Sequence, residues 1–312
     1  MILNPLVLAA RHGRLVLILG LVAGFALPGL AARMARHIPE MVAVIMFLGA
    51  LRLSPQDVAR MLTGLRGVLG RVLVLQLALP VALALLALAG GVAHSPWALA
   101  LILLASAPPI VGSPNIAAIL GLPAAPAMQY LVVGSLILPL SVLPVFWLLP
   151  ALGAFDQILV AALRLLALIA LAGGGAILLR AWALPAPSAR TLTWLDGASV
   201  IGLSVFVIGL MPALAGAITT QPGAFAFWLV IAVAANFGTQ IAVHLTMCGR
   251  IGHDMAGPLA FVAGNRNVSL FFAALPGDVT APLLIFLGCY QLPMFLTPVL
   301  MGRLYRRAGS AA

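Results

Sequence analysis

The stretch AGNRNVSLFF, residues 263–272, sets an arginine between two asparagines, Asn265-Arg266-Asn267, with apolar sequence on both sides. A guanidinium carries a permanent charge and five N–H donors in a planar fork that matches carboxylate or phosphate oxygens. At a bilayer centre an arginine costs about 2.5–3.5 kcal/mol even on permissive scales, so acceptors must be supplied. No Asp or Glu falls in the middle of a long apolar run. The acceptors are therefore carbonyls and amides at interrupted helix ends, Asn115 among them, or an anion bound from outside.

Few other polar groups lie deep in apolar sequence. Asn236, Gln240 and His244 recur every four residues and draw one polar stripe along a helix face. Polar side chains inside a membrane face the bundle or an aqueous cavity, which makes Asn236 and Gln240 binding candidates. His244, nearer the end of its run, reads as an interfacial residue or as a group that titrates near neutral pH. Gln76, in LQLALP, is a candidate ligand or interhelical glue. Asn115 closes APPIVGSPN, residues 107–115, where it would cap a half-helix, touch a bound ion, or do both. Arg164 is placed to snorkel toward an interface. Glu40, Asp156, Asp196 and Asp254 stand at the starts of apolar runs, where acids complement the helix dipole.

These residues belong to a chain of 312, of which 64% are hydrophobic and 7% charged. A soluble domain carries roughly 25% charged residues, so this chain cannot cover a water-facing surface. Its long continuous apolar runs exclude barrel strands and imply a helix bundle in lipid. The net charge of +10 would suggest nucleic acid in a soluble protein. Here the arginines sit in short loops between apolar runs, so no nucleic-acid partner is expected. Cys248 and Cys289 read as small buried residues. The first 33 residues resemble a signal peptide, but are read as an uncleaved first helix.

At about 20 residues per span, ten segments can be marked: roughly 15–32, 38–53, 68–90, 97–121, 126–150, 156–179, 196–218, 223–247, 255–276 and 281–302. One side then collects Arg11, Arg14, Arg52, Arg60, Arg66, Arg71, Arg180, Arg190, Arg250, Arg303, Arg306 and Arg307; the other collects Arg33 and Arg36. This asymmetry places both termini in the cytoplasm. The halves also look related. Pro139 to Val145 and Pro293 to Val299 both read P-x4-P-V, and each follows a segment interrupted by Gly, Pro or Asn, at 107–115 and 263–267. Five segments per repeat is odd, so the second repeat must be inverted. Inverted repeats with broken helices at matching positions point to a secondary transporter whose site lies where the breaks meet.

With those residues in view, the sequence resembles the bile acid:sodium symporter family and its wider superfamily over nearly the whole chain. LQLALP is similar to the family's span 3 element, with Gln76 at a glutamine that ligates sodium. PPIVGSPNIAAIL is similar to its C-P-G-G-T-A-S-N element, with Asn115 at the asparagine. VAGNRNVSL is similar to its E-V-G-M-Q-N-S-G-L element, with Asn267 at the asparagine. Val262 stands where the family has the glutamate shared by two sodium ions, and Arg266 replaces a glutamine ligand. Pro114 replaces a serine, with Ser113 adjacent; the span 5 hydroxyl ligands fall near Met128 and Val132, with Ser135 close by. Arsenite-exporter relatives carry a similar S-R-N element. A sodium site without its carboxylate is poor, and a guanidinium repels a neighbouring cation.

The resemblance implies an all-α integral membrane fold of one polytopic domain, 1–312. Ten transmembrane helices would form two inverted five-helix repeats, about 10–152 and 153–307, with crossing broken helices 4 and 9 and separate core and panel. It further implies secondary transport of a small organic anion, with Arg266 replacing bound sodium. Sodium symport through rearranged ligands is the alternative. The expected substrate or ion site comprises Gln76, Ser113, Asn115, Asn236, Gln240, Asn265, Arg266 and Asn267, with no catalytic residue, no bound metal and no cofactor; sodium fits poorly. The expected setting is a bacterial-type inner membrane. An enzyme is disfavoured because HExxH, paired aspartates and Ser/Lys or Cys/His constellations are lacking. A non-transporting sensor is disfavoured because no signalling domain is read.

Overall fold

A computed structural model describes residues 4–61, 65–149, 152 and 155–305. Of the arginines that sort by side, Arg306 and Arg307 lie outside the described residues, as do the side chains of Arg14 and Arg60. Among the described residues the chain is helical and no strand forms. Thirteen helices build the site and its surroundings: α1 (Gly13–Ala26), α2 (Ile38–Ala50), α3 (Leu65–Ala89), α4 (Pro96–Ser106), α5 (Ser113–Ile119), α6 (Ala124–Trp147), α7 (Asp156–Ala183), α8 (Ala189–Thr220), α9 (Pro222–Ile251), α10 (His253–Gly264), α11 (Ser269–Ala274), α12 (Gly277–Leu300) and α13 (Gly302–Tyr305).

Six of these, α3, α6, α7, α8, α9 and α12, are long and apolar enough to cross a membrane. Their outward faces carry exposed Leu140, Trp147, Leu171, Trp182, Val230 and Leu245, a surface that only lipid tails would solvate at low cost. The chain is a multi-pass, all-α membrane protein. Glu40, Asp156 and Asp254 lie in first helical turns, as the sequence suggests. Asp196 does not. Ser188 caps α8, and Asp196, two turns further in, pairs with Arg52 at 2.8 Å. The cap comes earlier because residues 189–195 continue the helix through polar sequence that an apolar-run criterion misses.

The marked segments 97–121 and 255–276 are broken near their middles. Ala107 is extended (φ −67°, ψ 149°) because Pro108 follows it and disfavours the helical region; Pro109 prolongs the interruption to Gly112. Pro114 then sits in the first turn of α5, where a missing N–H does no harm. The second interruption, residues 265–268, contains no proline. The half-helices sort in a crossed fashion. Buried residues of α4 and α11 share one apolar core, with Phe146 against Phe271 at 5.8 Å between ring centres. Buried residues of α5 and α10 share the other, with Val68, Tyr130 and Tyr305.

Candidate functional site

The two breaks meet. Ile110 N–H donates to the Asn265 carbonyl (3.1 Å) and Asn267 N–H to the Pro108 carbonyl (2.7 Å). Together they form one antiparallel bridge centred on Pro109 and Arg266. In this arrangement the two central residues exchange no bond with each other, so a proline is tolerated at the centre. Arg266 N–H points away from its partner and donates to the Tyr290 hydroxyl (3.0 Å), which in turn donates to the Gly264 carbonyl.

Arg266 is buried, and its guanidinium spans both breaks. Nε donates to the Ala263 carbonyl (3.0 Å) and Nη1 to the Ala107 carbonyl (2.9 Å). Neither ion pair formed among the described residues includes it. Two of its five N–H donors are thus taken by protein. Arg266 also lines a cavity of about 120 Å³ between the crossover, α2, α8 and α12. Val42, Ile45, Leu203 and Phe206 make the opposite apolar wall, while Asn267, Ser269 and Gln291 add polar groups near the arginine. Ser269 Oγ donates to Asn267 Oδ1 (2.6 Å), which leaves the Asn267 amide nitrogen as the group for a ligand.

Behind the second break lies a closed polar network. Asn236 Nδ2 donates to the Gly264 carbonyl (2.6 Å) and Asn265 Oδ1 (3.2 Å), while Gln240 Nε2 donates to Asn236 Oδ1 (2.7 Å). Thr297 Oγ1 stands 3.2–3.4 Å from Gln240, Asn236 and Asn265, and the Tyr305 hydroxyl donates to Gln240 Oε1 (2.7 Å). Asn265 donates twice to the Phe261 carbonyl, from its backbone N–H (3.1 Å) and from Nδ2 (2.9 Å). Asn236 sits in a π-helical turn of α9, residues 234–238. Gly264 is required here: a Cβ would run into the Asn236 carbonyl and the Gln240 side chain.

Against the first break a second amide is less well served. Gln76, in the π-helical turn 74–78 of α3, donates from Nε2 to the Gly134 carbonyl (2.9 Å), but its Oε1 is buried without a partner. Gly134 separates it from the prolines; a Cβ there would stand 2.8 Å from Gln76 Oε1 and 3.1 Å from Pro109.

Of the residues singled out in the sequence, Arg266 and Asn267 line the cavity, and Asn236, Gln240 and Asn265 join the network behind it. Ser113 donates to the Ile110 carbonyl (2.6 Å) within the turn that starts α5. Asn115 departs from expectation: it lies on the exposed face of α5, caps nothing and receives no bond from Arg266. Arg164, on the exposed face of α7, reaches the Ala274 carbonyl at 3.5 Å. Sequence reasoning missed Tyr290, Gln291, Thr297 and Tyr305; only Gln291, an amide inside an apolar run, carried a readable signal. No protein-family model and no curated protein matches the chain.

Proposed function

We propose that this protein is a secondary transporter of a small organic anion, built as ten spans in two inverted repeats, with Arg266 as its fixed positive charge. The observation that carries the reading is the buried guanidinium at the crossover, held by the Ala263 and Ala107 carbonyls, on a residue that lines a largely apolar cavity. The crossed sorting of the half-helices and the paired π-helical turns support the repeat. At about 120 Å³ the cavity holds only about four waters' worth of space, which suits a carboxylate head group with a short apolar body. On this reading both termini face the cytoplasm, the partners are the anion and the bilayer, and the chain has no catalytic role.

Sodium symport remains the second reading because Gln76 Oε1 is a buried oxygen with open lone pairs beside the first break. One oxygen is too few: Val262 is apolar and Arg266 fills the neighbouring ground. The test is thermal unfolding in detergent with aromatic and aliphatic monocarboxylates of increasing length, each in sodium and in potassium, followed by flux in proteoliposomes. A stabilising carboxylate raises the melting temperature by mass action, equally in both cations. Steep sodium dependence would favour the second reading, and turnover without flux would point to an enzyme. Arg266→Lys should bind more weakly for want of the fork; Arg266→Ala should bind none. Val262→Glu with Arg266→Gln should introduce a response to sodium.

A further inference from the structure

The end of α9 assigned to the cytoplasm holds two imidazoles that the anion cavity does not use. His244 is buried, its ring 5.6 Å from that of His253 at the start of α10 and 5.6 Å from Tyr305. His244 Nδ1 and His253 Nε2 are both buried without hydrogen-bond partners. In a neutral imidazole one ring nitrogen is an N–H and the other a lone pair, so each of these atoms is an unpaired donor or an unpaired acceptor. The titratable or charged groups on the surrounding elements are Cys248 and Arg250 on α9, Asp254 on α10, Tyr130 on α6, Cys289 and Tyr290 on α12, and Arg303 and Tyr305 on α13. Of these, Tyr305 is the one in ring contact.

Tyr305 is also where a continuous chain of hydrogen bonds begins. Its hydroxyl donates to Gln240, Gln240 to Asn236, and Asn236 to the Gly264 carbonyl, which also accepts from Tyr290, the acceptor for Arg266 N–H. Burial pushes the Tyr305 phenol well above its ordinary range, so the hydroxyl stays a donor. Every side-chain amide on this path donates toward the crossover. Amides do not readily hand on protons, so what the path transmits is position.

We propose that His244 and His253 form a single-proton site whose occupancy is conveyed through Tyr305, Gln240 and Asn236 to the Arg266 break. Two imidazoliums with ring centres 5.6 Å apart, one ring buried and the other half-buried, repel, so the pair holds at most one proton at a time. Protonation turns one orphan nitrogen into a donor and shifts the ring against Tyr305, the first link of the path. By linkage, whatever the break binds alters proton affinity at the pair by the same factor. The proposal concerns the proton and the break, and rests on the anion reading only for what that coupling serves.

The test needs no ligand. Histidine ring signals of the full-length protein in detergent should titrate in two steps for this pair, separated by more than about one pH unit. Hydrogen exchange of residues 263–268, corrected for intrinsic pH dependence, should change about threefold or more across the first step. His244→Gln should leave one step and a flat exchange response, whereas His253→Gln keeps the ring against Tyr305 and should leave one step that still moves the exchange. Tyr305→Phe should keep the two-step titration but lose most of the response. The proposal is overturned by independent single-step titration in the parent, by exchange that ignores the first step, or by an undiminished response in Tyr305→Phe. If the histidine variants do not fold, the parent and Tyr305→Phe decide.

Discussion

The two breaks at the crossover are made by different means. The first is written into the backbone: Pro108 and Pro109 forbid a helix there whatever surrounds them. The second, at residues 265–268, has no proline, and is held open by its own Asn265 and Arg266 together with groups from elsewhere. Asn265 and Arg266 take the Phe261 and Ala263 carbonyls, Asn236 and Tyr290 take the Gly264 carbonyl, and the Tyr290 hydroxyl accepts from Arg266 N–H. One interruption is local and the other tertiary. The tertiary one should therefore be fragile to substitutions far away in sequence, and the local one should not.

Four substitutions test that contrast, in falling order of expected effect on thermal unfolding in detergent. Gly264→Ala drives a Cβ into the Asn236 backbone carbonyl, which cannot yield; we expect a loss at or beyond the about 1–3 kcal/mol typical of overpacking, with poor recovery of folded protein. Asn236→Leu takes a donor from the Gly264 carbonyl and from Asn265 Oδ1, and leaves the Gln240 amide only Thr297 Oγ1 as acceptor. At about 1–3 kcal/mol per stranded group, the melting temperature should fall by several degrees. Gly134→Ala, on the side of the first break, meets the mobile end of Gln76 before it meets Pro109, so a loss of about 1 kcal/mol is expected. Gln76→Leu removes an unpaired oxygen along with the bond to Gly134 and a long one to Ser141 (3.4 Å), and should be within about 1 kcal/mol of neutral. If Gln76→Leu destabilises as much as Asn236→Leu, the contrast between the two sides is wrong.

The same contrast separates what the sequence discloses from what it does not. The six long helices follow from apolar runs of spanning length, and the first break from its prolines. Arg266 stands out because a charge in such surroundings has few explanations. The second break reads only as a cluster of Asn and Gly, since its causes lie 28 residues away at Asn236 and 24 away at Tyr290. Tyr290, Thr297 and Tyr305 pass unnoticed because hydroxyls in apolar runs have no period or spacing. Asn115 misleads for a geometric reason. Each residue of helix turns the side chain by about 100°, so its facing depends on where α5 begins, and a loop of irregular backbone hides that phase. The π-helical turns that aim Gln76 and Asn236 at the crossover leave no composition signature of their own.

Pro109 has one more effect, and it concerns sliding. If either break slipped past the other by one residue, Pro109 would move into a position that requires an N–H, and it has none. The crossover can tilt, or travel as one piece, but it cannot ratchet. A movement that exposes Arg266 first to one side of the membrane and then to the other would have to carry both breaks together, with the arginine's carbonyl partners riding along. The charge would then never lose its shell in transit.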